Sequence, residues 1–443
     1  MVFLIVLLSL LLLIVSISYL KINAFLSFLI VSILTAMALG IPLSKIPITV
    51  EKGISAIMGG LTLIIVLGAM LGKIIAESGA AANIATVMVR LFGEKYLPWG
   101  MAVTGFIVGI PLFYGVGFVL LVPLIFSIVY QYKLPAVYIG LPMLAALSVT
   151  HGFIPPHPSP VALVVLFDAN MGLTLIYGLI VSVPAIIIGG PIFGKTLKNI
   201  SSSGENIFQP NEQPTTTTLF RKPGVGLSFL TALLPVFLLI LFTILPYCIP
   251  ASNIFLQELI VFLGAPAIVM LAVIFVATFT LGIKQGRSIT QVMSVYGDAV
   301  KDIAMILLII AGSGVFKQVM EESGVSLLLA ESLKSLAIHP LILAWIITAI
   351  IRGCVGSATV AALTAATVLL PLTQATQVDP NLMVLAIGAG SLMFSHVNDA
   401  GFWMFKEYFG LTVKDTLRSW SVMEAIVSIV GLAAVLLLSF IIA

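Results

Sequence analysis

The amino-acid sequence predicts an all-α polytopic membrane protein made of two inverted repeats, with interrupted helices, re-entrant hairpins and about 10–14 membrane segments. Three observations lead to this fold class. The 443 residues are 60% hydrophobic and only 8% charged, whereas typical soluble proteins are about 25% charged. One polar segment divides the chain into two halves that resemble each other, and prolines and glycines interrupt several of the apolar runs.

Uncharged apolar runs recur along the whole chain, and a membrane helix needs roughly 20 such residues. The runs include residues 1–20, 22–44, 53–72, 96–132, 223–257, 259–283 and 425–443. They leave no room for a soluble domain of useful size. The first run has no basic segment before it and no small-residue cleavage site after it, so it predicts a first membrane helix rather than a signal peptide.

The remaining composition excludes several classes of site. Only two cysteines occur, Cys248 and Cys354, so the sequence offers neither a disulfide framework nor a Cys-x-x-Cys metal site. We expect no metal and no cofactor. The net charge of +3 is small and spread along the chain, which argues against a nucleic-acid partner and leaves the lipid bilayer as the surroundings.

A polar segment, "KTLKNISSSGENIFQPNEQPTTTTLFRKPG", interrupts the apolar chain at residues 195–224 and has the composition of a flexible linker. It predicts a first transmembrane repeat at 1–194, a linker at 195–225 and a second repeat at 226–443. The halves share short words in the same order. "GAMLGKIIAESGA" at 68–80 is echoed by "GSGVFKQVMEESGV" at 312–325, and Thr150-His151 falls on Ser395-His396. Matches kept in order in this way favour duplication.

The distribution of basic residues predicts the orientation in the membrane. Both termini lack Lys and Arg, whereas the linker and the segment before the last helix are basic. The basic residues are Lys195, Lys198, Arg221, Lys222, Lys406, Lys414 and Arg418. Because positive charges mark cytoplasmic segments, both chain ends are predicted to lie outside. Each half then crosses the membrane an odd number of times, which makes the repeats inverted, as in many secondary transporters with a site at mid-membrane.

Three segments are poor candidates for continuous helices. The uncharged run at 96–132 is too long for one span and contains several Gly and Pro residues, and the segment at 148–163 holds four prolines. The segment at 352–366 is small and polar enough to be the tip of a hairpin. Irregular backbone at membrane depth is tolerated only where it is buried in protein or lines a wet cavity. We therefore expect the substrate site in these segments.

Ionisable residues gather beyond the last of these segments, where "SHVNDAGFW" at 395–403 places His396, Asn398 and Asp399 within four residues. Ionisable groups inside a membrane usually mark a substrate pathway or a proton relay. Asp and His in a low-dielectric site can exchange a proton near neutral pH, so Asp399, coupled to His396, is the predicted proton site. The structural alternative is a surface loop in which Asp399 only caps a helix.

The predicted substrate-binding residues combine hydroxyl, amide and imidazole groups with a flanking glycine. They are Thr150, His151, Ser159, Gly356, Ser357, Thr359, Ser395, His396 and Asn398. The hydroxyls of Ser357 and Thr359 and the backbone N–H groups beside Gly356 suit an anion at the start of a broken helix. Arg352 is a candidate counter-charge for an anion, or an interfacial residue that faces lipid headgroups. The alternative for His151 and for His157 is that they satisfy backbone carbonyls in a proline-rich turn.

Several long words, taken in order, resemble the gluconate permease family of bacterial proton symporters. These words are "THGFIPPHPSP" at 150–160, "GVFKQVMEESGV" at 314–325, "GSATVA" at 356–361, "GAGSLMFSHVND" at 388–399 and "SHVNDAGFW" at 395–403. The resemblance covers essentially the full length. It implies a carrier in the bacterial cytoplasmic membrane that imports gluconate or another hexonate with protons, in a fold similar to the wider ion transporter superfamily. It favours an elevator motion on a homodimeric scaffold, with a rocking bundle as the alternative.

The chain departs from the family pattern at one position. The resemblance implies an acidic residue in a Phe-Phe-Glu-Val-like word, whereas this sequence reads "LFYGVGF", with Gly115 at that position. If that carboxylate normally binds the coupling proton, its absence here puts proton coupling in doubt. Asp399 is then the residue left to carry it.

Three rival functions stay open at this point. The first is uptake of D-serine or another small hydroxy or amino monocarboxylate by the same fold. The second is coupling to sodium or transport of a dicarboxylate, for which more cationic groups than Arg352 would be expected in the core. The third is an intramembrane hydrolase that pairs Ser357 with His396 or His151.

Overall fold

The structure is a computed structural model. It describes residues 2–202, 221–249, 253–325, 338–376, 378–397 and 399–442. Most of the predicted linker, residues 203–220, lies outside this part of the chain, as does Asn398. The described residues form helices and turns, with no strand among them. The predicted all-α polytopic fold is therefore confirmed.

The first half contributes nine α-helices within the described residues. They are α1 Val2–Ser18, α2 Ala24–Ala38, α3 Ile46–Glu77, α4 Ala80–Phe92, α5 Leu97–Gly109, α6 Tyr114–Tyr132, α7 Ala136–Phe153, α8 Pro158–Leu166 and α9 Met171–Ile187. A π-helical turn, Ile188–Ile192, extends α9.

The second half contributes ten α-helices within the described residues. They are α10 Val225–Cys248, α11 Ile254–Gly264, α12 Pro266–Ala277, α13 Ile289–Glu322, α14 Pro340–Val355, α15 Ala358–Thr376, α16 Pro380–Ser391, α17 Ala400–Phe409, α18 Val413–Thr416 and α19 Val422–Ile442. π-helical turns extend α12 over Thr278–Gly282 and precede α19 at Leu417–Ser421.

Among the described residues, eight helices are long and apolar enough to cross a membrane, or nine if the two parts of α3 count as one span. These parts, Ile46–Gly59 and Leu61–Glu77, are bent by 49°. Six shorter apolar helices of 10–17 residues accompany the long ones. Long spans and short pieces together are the ingredients of a transporter fold with broken helices.

The two longest helices, α3 and α13, pack along each other and join the halves. The helix before each of them packs on the opposite partner: α2 lies against α13, and α12 lies against α3. This reciprocal packing agrees with the duplication expected from the sequence. The inverted relation of the repeats, the domain boundaries and the cytoplasmic position of the linker stay predictions.

Four breaks interrupt helices outside the α3–α13 pair. α5 ends before Pro111 and α6 begins at Tyr114, while α7 ends at Phe153 and Pro158 opens α8. Proline removes a backbone donor and clashes with the preceding turn, yet it fits the first position of a new helix. Gly356, with φ at +81°, ends α14 in the left-handed conformation that glycine adopts at little cost. The fourth break, residues 392–399, separates α16 from α17.

The broken helices occupy the protein interior. In the most apolar 18-residue stretch of α7 with α8, 89% of the residues are buried, and in that of α15 the share is 78%. The corresponding share is 28% in α10 and also 28% in the segment that ends with α19. α8 packs against α15 and α16, and α7 packs against α5, so the four breaks are drawn together. Apolar helices with little outward surface serve to hold a site rather than to face lipid.

Candidate functional site

A cavity of about 420 Å³ lies where the breaks meet. Its volume falls within the roughly 300–1,000 Å³ that small-molecule sites usually have. The wall consists of the start of α6, the end of α7, the turn between α14 and α15, the start of α17 and the first turn of α19. Three larger cavities of the described structure, of about 630, 600 and 430 Å³, lie between α8 and α12, beside α2 and at the start of α7. The 420 Å³ cavity is distinguished from them by the chemistry of its wall.

A buried ion pair crosses one side of the cavity. Arg352, at the end of α14, donates from Nη2 to Oδ2 of Asp399 at 2.6 Å, and the two side chains are 4% and 17% exposed. Arg352 also donates from Nη1 to the carbonyl of Gly356. Breaking a buried pair by removing one partner usually costs about 3–5 kcal/mol, because the other charge stays buried. The pair therefore holds two of the breaks in one fixed arrangement.

Asp399 is bonded on both carboxylate oxygens. Oδ2 accepts from Arg352 and from the Ser395 hydroxyl, and Oδ1 accepts from the backbone N–H of Gly401 at 3.2 Å. Trp420 in turn donates from Nε1 to Oγ of Ser395 at 2.8 Å. Asp399 is thus both the cap of α17 and a cavity residue, so the two interpretations of this aspartate are compatible.

Three helices begin at the cavity wall: α6 with Tyr114 and Gly115, α15 with Ala358 and Thr359, and α17 after Asp399. The first N–H groups of a helix have no intrahelical partner and carry partial positive charge, which favours an anion. Ser357 accepts from the N–H of Val360 at 3.4 Å and so caps α15. Within the described structure, no side chain caps α6. Its N–H groups are therefore available to a bound anion.

Four polar atoms around this cavity have no hydrogen-bond partner among the described residues. They are Tyr114 Oη, His151 Nδ1, Arg352 Nε and Glu424 Oε1. About nine in ten buried polar groups in native proteins have a partner, so several orphans on one cavity require an explanation. A polar ligand that supplied the missing donors and acceptors would give one.

The structure brings only some of the predicted site residues together. His151, Gly356, Ser357, Thr359 and Asp399 line the cavity. Thr150, Ser159, Ser395 and His396 do not line it. Asn398 lies outside the described residues.

The four predicted residues away from the wall have other surroundings. Thr150 donates to the carbonyl of Leu147 at 2.8 Å, and the His396 ring pairs through Nε2 with the carbonyl of Gly353 at 2.9 Å. Ser395 lies behind Asp399 and orients it. Ser159 is 2% exposed, and its hydroxyl has no partner in the described part of the chain. None of these four residues therefore contacts the cavity directly.

Sequence reasoning missed Tyr114, Ser148, Trp420 and Glu424, which also line the cavity. Glu424 had a usable signal, since it is the acidic residue directly before the uncharged run 425–443. An ionisable group at such a position is a functional candidate by default. Arg352 was considered only as one of two alternatives, and the structure places it inside the protein.

The described part of the chain offers no set of side chains that could bind a metal ion. Among the described residues, no group of three or more His, Cys, Asp and Glu side chains lies close enough together to hold a metal ion. The cavity offers instead one guanidinium group, two carboxyl groups, a phenol, an imidazole and hydroxyls. This set suits a small polar anion.

Residues 1–441 match the family described as GntP family permease. The high-affinity gluconate transporter of Escherichia coli strain K12 is 43% identical over 423 residues, which are 95% of this chain and 95% of the relative. The gluconate permease of Bacillus subtilis strain 168 is 44% identical over 438 residues, with 96% of each chain covered. The Gnt-II system L-idonate transporter of the same E. coli strain is 42% identical over 420 residues, with 94% of each covered.

Two solved structures share the fold at low sequence identity. The YdaH transporter of Alcanivorax borkumensis superposes with a TM-score of 0.64 at 16% identity, over 94% of this chain and 97% of the other. MtrF of Neisseria gonorrhoeae, described as illuminating a class of antimetabolite efflux pumps, gives 0.63 at 14% identity over 93% of each chain. Both likenesses concern the fold alone.

Proposed function

Because the chain belongs to the GntP permease family, we propose that it imports gluconate or a closely related sugar acid across the bacterial cytoplasmic membrane by proton symport. The chain is a multi-pass membrane transporter, and the intramembrane hydrolase considered from Ser357 is wrong, since the family and its relatives are permeases. One observation carries the proposal: the orphan polar atoms of Tyr114, His151 and Arg352 surround a cavity that already holds a buried ion pair.

The substrate class follows from the relatives and from the cavity together. Relatives that cover nearly the whole chain are named for gluconate and for L-idonate. Both compounds have one carboxylate and five hydroxyl groups on a six-carbon chain. A cavity of about 420 Å³ with one cationic side chain and several neutral polar groups matches one negative charge and many hydroxyls.

The carboxylate of the substrate is proposed to lie between the start of α6 and Arg352. The guanidinium group of Arg352 donates one N–H group to Asp399 and one to the carbonyl of Gly356, and Nε–H is among the donors that remain for a ligand within the described structure. The N–H groups of Tyr114 and Gly115 add the positive end of a helix dipole. Charge-assisted hydrogen bonds of this kind are the strong ones in a ligand site.

The hydroxyl groups are proposed to face the neutral side of the cavity. Tyr114 Oη and His151 Nδ1 lack partners in the described part of the chain, and the hydroxyls of Ser357 and Thr359 stand on the same wall. Trp420 offers a ring to the C–H faces of the sugar chain. A site built to hydrogen-bond hydroxyl groups rejects analogues that lack them, since its buried polar atoms would stay unpaired.

The predicted proton coupling, cytoplasmic linker and homodimer belong to this proposal as well. The division into an α3–α13 part and a broken-helix part gives an elevator motion two bodies that can move against each other. A rocking bundle is the alternative. Cross-linking between α3 and α8 distinguishes the two motions. An elevator motion changes which residues of α3 and α8 are in contact, whereas contacts that stay the same in all states favour rocking.

The test is uptake of labelled gluconate into proteoliposomes with and without an inward proton gradient, competed by L-idonate and D-serine. We expect accumulation that a protonophore abolishes and that L-idonate competes. Arg352→Ala should lose uptake, whereas Lys301→Ala, in an exposed pair with Asp298, serves as the matched control. Competition by D-serine but not by L-idonate would replace the sugar acid with the amino acid alternative, and accumulation that follows a sodium gradient would replace the proton.

A further inference from the structure

Glu424, in the first turn of α19, is a buried carboxyl group that the proposed anion site does not use. It is 2% exposed and lines the 420 Å³ cavity. Ser148, on α7, lies next to this carboxyl group, and Oε1 has no hydrogen-bond partner among the described residues. Burying a carboxylate without a cation costs much free energy, so such a group calls for a reason.

The other carboxyl group of the cavity, Asp399, is in the opposite situation. It accepts hydrogen bonds from Arg352, Ser395 and the Gly401 N–H, so a cation and two further donors already face it. Arg352 is already committed to Asp399 and to the carbonyl of Gly356. The cavity therefore holds one neutralised ion pair and one carboxyl group outside it.

The titratable and charged groups that face Glu424 across the cavity are Tyr114 on α6, His151 on α7, Arg352 on α14 and Asp399 before α17. The charges of Arg352 and Asp399 cancel. The net charge of the cavity then depends on Glu424, on the substrate and on any proton taken up with it.

We infer that Glu424 carries the proton that is transported with the anion, while Asp399 serves as the fixed partner of Arg352. This inference rests on the proposed symport. An empty cavity with ionised Glu424 has the same net charge as a loaded cavity with protonated Glu424 and a bound monoanion. Substrate without a proton adds a second negative charge next to the first, and a proton without substrate leaves the anion site empty.

Like charges in one buried site oppose each other, so the bound anion favours protonation of Glu424 and protonated Glu424 favours binding of the anion. The proton comes from water on the side to which the cavity opens. It bonds to the Glu424 carboxylate and leaves to water on the other side after the anion departs. One anion and one proton move together, so the transport step is electroneutral.

The experiment compares Glu424→Gln with Asp399→Asn in proteoliposomes, by accumulation in a pH gradient and by exchange of labelled for unlabelled gluconate at equal pH. A gradient of one pH unit supports about tenfold accumulation when one proton accompanies each anion. Glu424→Gln should exchange gluconate but bring the accumulation ratio down to about one, and its exchange should no longer depend on pH. Asp399→Asn should lose exchange and accumulation together, because Arg352 loses its partner.

Several outcomes would overturn the inference. One is tenfold accumulation by Glu424→Gln, which places the proton elsewhere, for example on His151. Another is loss of accumulation with preserved exchange in Asp399→Asn. Failure of wild-type protein to accumulate gluconate in any pH gradient is a different result, because it removes the proposed symport itself.

A second measurement covers a Gln variant that does not fold. Glu424→Asp keeps a carboxyl group and should still accumulate gluconate. Wild-type protein with isotope-labelled glutamate should show a gluconate-induced infrared band of a protonated carboxyl group that shifts with the label. Absence of that band contradicts the inference.

Discussion

The break between α7 and α8 and the break between α16 and α17 carry matching residues, yet they present different atoms to the cavity. His151 from the first break lines the cavity, whereas His396, its counterpart in the predicted repeat, lies away from it and pairs with the carbonyl of Gly353. The second break contributes Asp399 and the first contributes no charge. The two breaks thus share an interrupted helix, while the imidazole and the carboxylate that they bring to the cavity come from different halves.

The support of the two breaks differs as well. Next to His151, His157 pairs through Nε2 with the carbonyl of Gly109 at 2.8 Å, and the two imidazole rings are 5.5 Å apart. The second break is held by the ion pair of Asp399 with Arg352 and by the bond from Trp420 to Ser395. The comparison predicts that changes in the second break cost stability and that changes in the first affect substrate affinity.

The largest effect is expected from the ion pair. Asp399→Asn or Arg352→Met alone should lower the free energy of unfolding by about 3–5 kcal/mol, because one buried charge is left without its partner. The double variant should recover most of that stability but not gluconate exchange. Melting temperatures in detergent and exchange in proteoliposomes measure the two effects. Single variants with wild-type melting temperatures would show that the pair does not support the second break.

A smaller loss is expected from Ser395→Ala. The change leaves the Trp420 N–H unpaired and removes one donor from Asp399, which should cost about 1–3 kcal/mol of stability. Ser159→Ala is the matched control in the first break, since its hydroxyl has no partner in the described structure. Its melting temperature should indicate that the free energy of unfolding changes by no more than about 0.5 kcal/mol. Equal losses in the two variants would remove the difference between the breaks.

The smallest effect is expected from His151→Leu. Loss of one hydrogen bond to the substrate should cost about 1 kcal/mol and raise the KM for gluconate about fivefold, with little change in melting temperature. His396→Leu serves as the counterpart and should leave KM close to wild type, because His396 does not line the cavity. A larger rise of KM in His396→Leu than in His151→Leu would reverse the assignment of the two histidines.

The fold class was predictable because it depends on composition and on the positions of prolines and glycines, which are visible in the sequence itself. Apolar runs indicate spans, and Pro155, Pro156 and Gly356 stand where helices end. The positions of individual side chains around each helix were harder to predict. Successive residues of an α-helix differ by about 100° in direction, so Thr150 points at Gly109 while His151 reaches the cavity. Short sequence motifs therefore locate the helical turn that carries a site residue, but they do not show which side chain of that turn points into the cavity.

Glu424 and Tyr114 show a second reason why the residues of the cavity were harder to predict than the fold class. They reach the cavity because α19 and α6 pack beside α7, and α7 and α19 are separated by roughly 270 residues in sequence. Local patterns do not contain this information. Arg352 illustrates the same point, since a residue at the end of a membrane helix faces either lipid headgroups or the interior, and only its packing decides.

Gly115 provides a way to observe the carrier at work. It lies on the cavity wall in the first turn of α6, and a side chain that began there would meet no atom within 4 Å at its Cβ. The chain has only two cysteines, Cys248 and Cys354, which can be replaced. Gly115→Cys in that background would place one thiol inside the transport path. Impermeant thiol reagents applied to one side of the membrane at a time would then report which way the cavity opens, and how gluconate and pH shift that balance.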